Sequence, residues 1–202
     1  ETDSTASASM KKQEGSYFDT FFNHTFNYDK RNQRYKTSDG YISRFSQNIP
    51  LMSESYTLTN TYDYKIYNEW LDENVFSIGF FGKTANSLAG KDIKLSDRLF
   101  LPSSKLRGFE SGKVGPKDGA DFIGGNYATS INIATSLSQI LPNSQNTNFS
   151  VFFDAANVWG IDYSSSLSDD SKIRSSIGIA LDYLTPIGPL SFSLSEPITK
   201  GK

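Results

Sequence analysis

Apolar and polar positions alternate with a period of two along most of the chain, and a helical period is sustained nowhere. From Ser16 to Tyr28 one parity carries Phe18, Phe22, Phe26 and Tyr28, and the other Asp19, Asn23 and Asn27. The run Tyr56 to Ile66 sets Tyr56, Leu58, Tyr62, Tyr64 and Ile66 against Thr57, Thr59, Thr61, Asp63 and Lys65. Between Tyr127 and Leu137, the residues Tyr127, Ile131, Ile133 and Leu137 oppose Asn126, Ser130, Asn132 and Ser136. Phe149–Trp159 and Ile173–Tyr183 repeat the scheme, and Leu190–Leu194 does so more briefly. The pattern predicts strands at 16–28, 40–49, 55–69, 75–88, 124–137, 149–159, 173–184 and 189–197. At about 3.3 Å per residue each is long enough to cross a membrane at a tilt.

Alternation of this kind fits either an antiparallel transmembrane β-barrel or a soluble β-sandwich. Two details favour the barrel. The polar parity includes Arg44, Asp63, Lys65, Lys83, Asp154, Arg174 and Asp182, as a solvated lumen would, whereas the apolar parity is almost free of charge along its middle. The connections also alternate: 71–74 and 185–188 are tight, whereas 90–123 and 160–172 are long, as in barrels with short periplasmic turns and long external loops. The strands found here are enough to close alone or to form part of a larger barrel.

Composition agrees with a sheet that has one aromatic and one wet face: 37% of residues are hydrophobic, yet 14% are aromatic. No run of about 18 apolar residues exists, so no membrane-spanning helix is predicted. The count of 0 cysteines rules out a disulfide framework and thiolate metal sites, and the net charge of -2 argues against a nucleic-acid partner. The chain starts at Glu1 without a leader and ends in Ile198-Thr199-Lys200-Gly201-Lys202, and both ends read as truncations. Residues 1–15 are expected to be the end of an external loop, 16–198 the barrel segment with its long external loop 90–123, and 199–202 a truncated or non-native tail. Catalysis is not expected. The sole histidine, His24, sits on the apolar parity, no nucleophile–base constellation is visible, and Asp169-Asp170 lies in a serine-rich stretch that reads as a solvated loop tip. No metal site and no cofactor are expected.

Several motifs stand in a fixed order. Lys105-Leu106-Arg107-Gly108-Phe109 is followed by Val114-Gly115-Pro116-Lys117, then Gly124-Gly125-Asn126, then Phe152-Phe153-Asp154-Ala155-Ala156-Asn157-Val158-Trp159, then the run Ile177–Leu190 with Thr185-Pro186-Ile187-Gly188-Pro189 at its turn. Upstream stand Tyr28-Asp29-Lys30-Arg31-Asn32 and Thr37-Ser38-Asp39-Gly40-Tyr41. The set resembles the BamA-type assembly factors of the bacterial surface antigen superfamily, which also includes two-partner-secretion transporters and autotransporter-assembly factors. The resemblance covers 16–198 and is most specific over 105–197.

The resemblance implies the C-terminal half of a barrel of about sixteen strands, of which these would be the eighth to fifteenth, in the bacterial outer membrane. The periplasmic POTRA domains, the first half of the barrel and the last strand would lie outside the chain. It further implies a factor that folds and inserts barrel precursors, with unfolded outer-membrane proteins, accessory lipoproteins and the lipid bilayer as partners. A superfamily transporter and a plain porin are the alternatives. Of the site residues, it implies that Arg107, in a loop folded into the lumen, pairs with Asp154 on the wall, with Gly108 allowing close approach and Phe109 as a packed anchor. Family members often carry a second lumen carboxylate at the position of Ala134, and usually glycine at that of Ala156. Gly124 and Gly125 mark a bend where the loop re-enters the sheet, and Pro186 and Gly188 a tight turn.

Overall fold

The computed structural model describes residues 15–71, 73–140, 146–162 and 171–199, with positions 7, 11, 167 and 169. Eight strands form one antiparallel sheet in the order β1-β2-β3-β4-β7-β8-β9-β10, each long strand beside its neighbour in sequence. They are β1 (Thr20–Asp29), β2 (Gly40–Met52), β3 (Thr57–Leu71), β4 (Asn74–Ser87), β7 (Tyr127–Ser136), β8 (Thr147–Trp159), β9 (Arg174–Thr185) and β10 (Gly188–Thr199). Two short strands, β5 (Lys117–Asp118) and β6 (Asp121–Phe122), make a hairpin within the long β4–β7 connection. The sheet is open: β1 and β10 are its edges, so it is a partial barrel and not a closed one.

The register carries the alternation across the whole sheet. Arg44 faces Asp63, Asp63 faces Phe81, Phe81 faces Ser130, Ser130 faces Ala156, and Ala156 faces Arg174. All therefore project to one face, which the long loop covers and which we call inner. The other face is a band of exposed apolar side chains that includes Phe22, Phe26, Tyr62, Ile78, Phe80, Ile131, Ile177, Ile179, Phe192 and Leu194. A one-residue slip would move every one of them to the wrong side. His24 lies in this outer band between Phe22 and Phe26, with ring centroids 5.8 and 5.2 Å away.

Strand boundaries differ from the alternation by a few residues, for local reasons. The first strand starts at Thr20 instead of Ser16. Tyr56 belongs to the β2–β3 turn, with φ +44, and not to β3. Gly124 and Gly125 precede β7, and Gly125 forms an isolated bridge with Leu99. Thr199, expected in the tail, closes β10 opposite Ser175. Most of 1–15, and all of 200–202, fall outside the described residues.

Antiparallel order places the connections on two rims. The 53–56, 88–126 and 160–173 connections share one, and 30–39, 72–73, 137–146 and 186–187 share the other. The short-versus-long rule thus has departures, since 53–56 is short on the long-loop rim and 30–39 is extended on the opposite one. The 30–39 connection is ordered by its own polar groups. Asn32 Oδ1 accepts from the backbone N–H groups of Gln33, Ser38 and Asp39, and Arg31 is paired with Asp29 at 2.8 Å. Gly40, at φ +94, packs against the Lys30 carbonyl.

If the outer band faces lipid, its tolerance of charge differs from that of the inner face. Ile179→Lys, outward and mid-strand, is expected to cost about 2–4 kcal/mol, and Ser193→Lys on the inner face much less. Urea unfolding of the intact protein in lipid vesicles measures both. Equal losses would contradict the face assignment.

Candidate functional site

The buried apolar cluster lies between the inner wall and the long loop. Phe81 and Ala85 of β4, Ala128 of β7, and Ala156 and Val158 of β8 pack with Ile93, Leu99, Leu101, Leu106 and Val114 of the loop. The inner face is therefore polar only in part. Small residues at 85, 128 and 156 leave room for the loop, and the loop supplies the bulk. Phe109, half-buried, joins the edge of this cluster.

Glycines set how closely the loop approaches. Gly108 has φ +88, and a Cβ there would lie 2.9 Å from Ser195 Oγ on β10. Gly115 has φ +117, and its Cβ would lie 2.9 Å from the Val158 side chain. Both positions combine a left-handed backbone with a wall that leaves no space, so any other residue is penalised twice. Gly125 stacks on the backbone of Trp159, where a Cβ would lie 2.5 Å from the carbonyl oxygen. Gly188, at φ +132, completes the 185–188 turn after Pro186, and the Thr185 hydroxyl donates to its carbonyl at 2.5 Å.

On this scaffold Arg107 and Asp154 are brought together. The Arg107 guanidinium donates from Nε to Asp154 Oδ2 at 2.7 Å and from Nη2 to Oδ1 at 2.8 Å, a side-on bidentate pair. The Arg107 backbone N–H adds a third bond to Oδ2 at 3.1 Å. Asp154 is 0% exposed, so a lone charge there would be costly, and the pair with its extra donors is what makes burial tolerable.

Four partners were not singled out from the sequence. Asn132, facing Asp154 across the β7–β8 ladder, donates from Nδ2 to Asp154 Oδ1 at 2.8 Å and to the Lys105 carbonyl at 3.0 Å. Ser176 donates to the Arg107 carbonyl at 2.5 Å. The Phe152 ring lies under the guanidinium, 3.3 Å from centroid to Cζ, adding a cation–π contact. Gly178 makes room for that ring, because a Cβ there would come within 2.7 Å of Phe152 Cζ. Their signal was the parity they share with Asp154. Ala134 faces a cavity of about 620 Å³ beside Arg107 and Asn132, so among the described residues Asp154 is the one carboxylate ion-paired with Arg107.

A second attachment lies at the long-loop rim. Asp162 accepts from Asn126 Nδ2 at 2.6 Å and from the Ile93 N–H at 3.2 Å, and lies 3.7 Å from buried Arg98. Asp169 accepts from the Gly160 N–H at 3.2 Å, whereas Asp170 lies outside the described residues.

Known proteins resemble this chain in sequence and in fold. The Omp85 superfamily domain model matches residues 1–202. The outer membrane protein assembly factor BamA of Neorickettsia risticii (strain Illinois) is 26% identical over 117 residues, which is 56% of this chain and 16% of that protein. A crystal structure of BamA from Haemophilus ducreyi lacking POTRA domains 1-3 superposes with a TM-score of 0.77 at 29% identity, covering 88% of this chain and 38% of that one. The chain thus spans well under two thirds of either relative.

The geometry ranks the cost of substitutions. Asp154→Ala strands the guanidinium and the Asn132 amide and is expected to destabilise by about 3 kcal/mol. Arg107→Lys keeps the charge, loses the fork, and is expected to cost about 1–2 kcal/mol. Urea midpoints of the intact protein in vesicles give both; the reverse order would contradict the bidentate account.

Proposed function

The chain belongs to the Omp85 superfamily, whose members are outer-membrane β-barrels, and from that premise we propose that the protein carrying it folds and inserts β-barrel precursors into the outer membrane. Its substrates would be unfolded outer-membrane proteins arriving from the periplasm, and accessory lipoproteins would bind through periplasmic domains outside this chain. The reading is not enzymatic and calls for no cofactor. The work would be physical, with a rigid barrel wall held in shape while an incoming strand pairs by β-augmentation elsewhere on the barrel.

The observation that carries this reading is the Arg107–Asp154 clasp, formed by the same residues that carry the likeness to assembly factors. It gives this part of the barrel a defined role as the wall that the loop braces from within. A plain porin is disfavoured because the inner faces of β4, β7 and β8 are packed against the loop.

With 0 native cysteines in the chain, the reading is open to a clean test. The Arg107 N–H lies 3.1 Å from the Asp154 carboxylate, so the two residues are in direct contact, and a disulfide between them requires a Cα separation of no more than roughly 7 Å. Cysteines at 107 and 154 of the intact protein, in native membranes, are expected to crosslink under mild oxidation. Cells relying on Arg107→Ala/Asp154→Ala are expected to show a several-fold drop in folded, heat-modifiable outer-membrane proteins at an unchanged level of the variant. Normal assembly in those cells would count against the proposal.

A further inference from the structure

The loop motif carries a second cation, Lys105, two residues before Arg107. Its ammonium lies 2.5 Å from Asp63 Oδ2, on β3, three strands across the sheet from Asp154. On the way it passes over the inward ring of Phe81 on β4, 5.1 Å from the centroid. The register explains the geometry. Asp63 faces Phe81 and Phe81 faces Ser130, whereas Asp154 faces Asn132. Ser130 and Asn132 are successive inward residues of β7, so the two carboxylates sit in adjacent rows across the sheet. Lys105, which closes a short 3-10 turn (Ser103–Lys105), and Arg107, in the turn that follows, each reach one of them.

We propose that Lys105 and Asp63 form the second head of a transverse brace, which ties β3 to the strands around Asp154 and stands in for the second lumen carboxylate that Ala134 does not supply. The line of contacts is continuous. It runs from Asp63 on β3, past Phe81 on β4, to Lys105, whose carbonyl accepts from Asn132 on β7. It continues through Arg107 to Asp154 on β8 and, through the Arg107 carbonyl, to Ser176 on β9. Gly108 then rests against Ser195 on β10. Six adjacent strands, β3 to β10, are linked at right angles to their own direction by three loop residues, Lys105, Arg107 and Gly108. Backbone ladders hold neighbouring strands together but leave the curvature of the wall soft; a brace across the ladders fixes it. Asn132 joins the two heads by donating to both.

The two heads differ in kind. Asp154 is 0% exposed, whereas the Asp63 side chain is 37% exposed and has Arg44 as its cross-strand neighbour. The Lys105 head is therefore the weaker and more salt-sensitive one. Lys105 and Asp63 are positioning residues. The geometric tie stands alone, whereas its bearing on precursor insertion rests on the assembly reading above.

The test is a charge swap in the intact protein, read as the temperature at which the folded, heat-modifiable form is lost in low and high salt. Lys105→Met and Asp63→Asn are each expected to lower that midpoint by about 2–4 °C, and less in high salt. Lys105→Arg should leave it unchanged. Lys105→Asp and Asp63→Lys should each lower it further, and the double swap Lys105→Asp/Asp63→Lys should recover at least half of the loss. A double swap no better than the worse single variant, or neutral Lys105→Met and Asp63→Asn, would overturn the brace. Recovery of the midpoint by the swap, with growth unaffected by any variant including Arg107→Ala, would support the brace while removing the assembly reading.

Discussion

The long 88–126 loop would cost chain entropy wherever it settled, and the contact that fixes its place is a guanidinium held between a buried carboxylate and an aromatic ring. Arginine suits the position because its fork matches both oxygens of Asp154 while its flat face rests on Phe152. Neighbouring choices follow from this. Gly108 and Gly115 are where side chains would strike the wall, and Gly178 is where the Phe152 ring needs space. Ser176 and Asn132 occupy loop carbonyls that would otherwise be buried without donors. Without the pair, an apolar cluster that lies half in the loop would have no fixed register against the strands.

The distribution of apolar groups differs from that of a soluble β-sandwich. The outer band carries large side chains that stay exposed, among them Phe26, Ile131, Phe192 and Leu194, and lipid is the environment that tolerates them. The buried core is small and lies on the opposite face, where loop and wall each contribute half. Stability here is divided between a bilayer that holds the outside and a loop that fills the inside. That division accounts for a chain with few hydrophobic residues overall and many aromatic ones.

Much of this was legible in the alternation alone. A period of two, sustained in eight segments, located every long strand and assigned Asp63, Asn132, Asp154 and Asp182 to one face, because a strand has only two faces to offer. The meeting of Arg107 with Asp154 was legible only through the motif's likeness to a known family, since they lie 47 residues apart and no local rule links a loop to a strand at that distance. The Lys105–Asp63 contact was not legible at all. It depends on how far the sheet curls and on where one loop residue falls relative to two rows of the ladder, quantities that emerge only after the strands have paired. The boundary residues near Thr20, Tyr56 and Gly124 were misplaced because turn geometry, such as φ +44 at Tyr56, overrides side-chain alternation.

The pairing of β10 with β9 has a consequence for whatever strand lies beyond it. The Leu184 N–H donates to Asn146 at 2.8 Å, so the even-numbered residues of β9 turn their backbone groups toward β8 and the odd-numbered ones toward β10. Leu184 faces Pro189 and Ser176 faces Pro197, which directs both prolines to the free side of the sheet. A neighbour docking there meets amide donors from Ser191, Ser193 and Ser195, and a nitrogen without hydrogen at either end. The seam on that side is thus a short zip with a stop at each end, its length and alignment set by two pyrrolidine rings and not by the length of the strand.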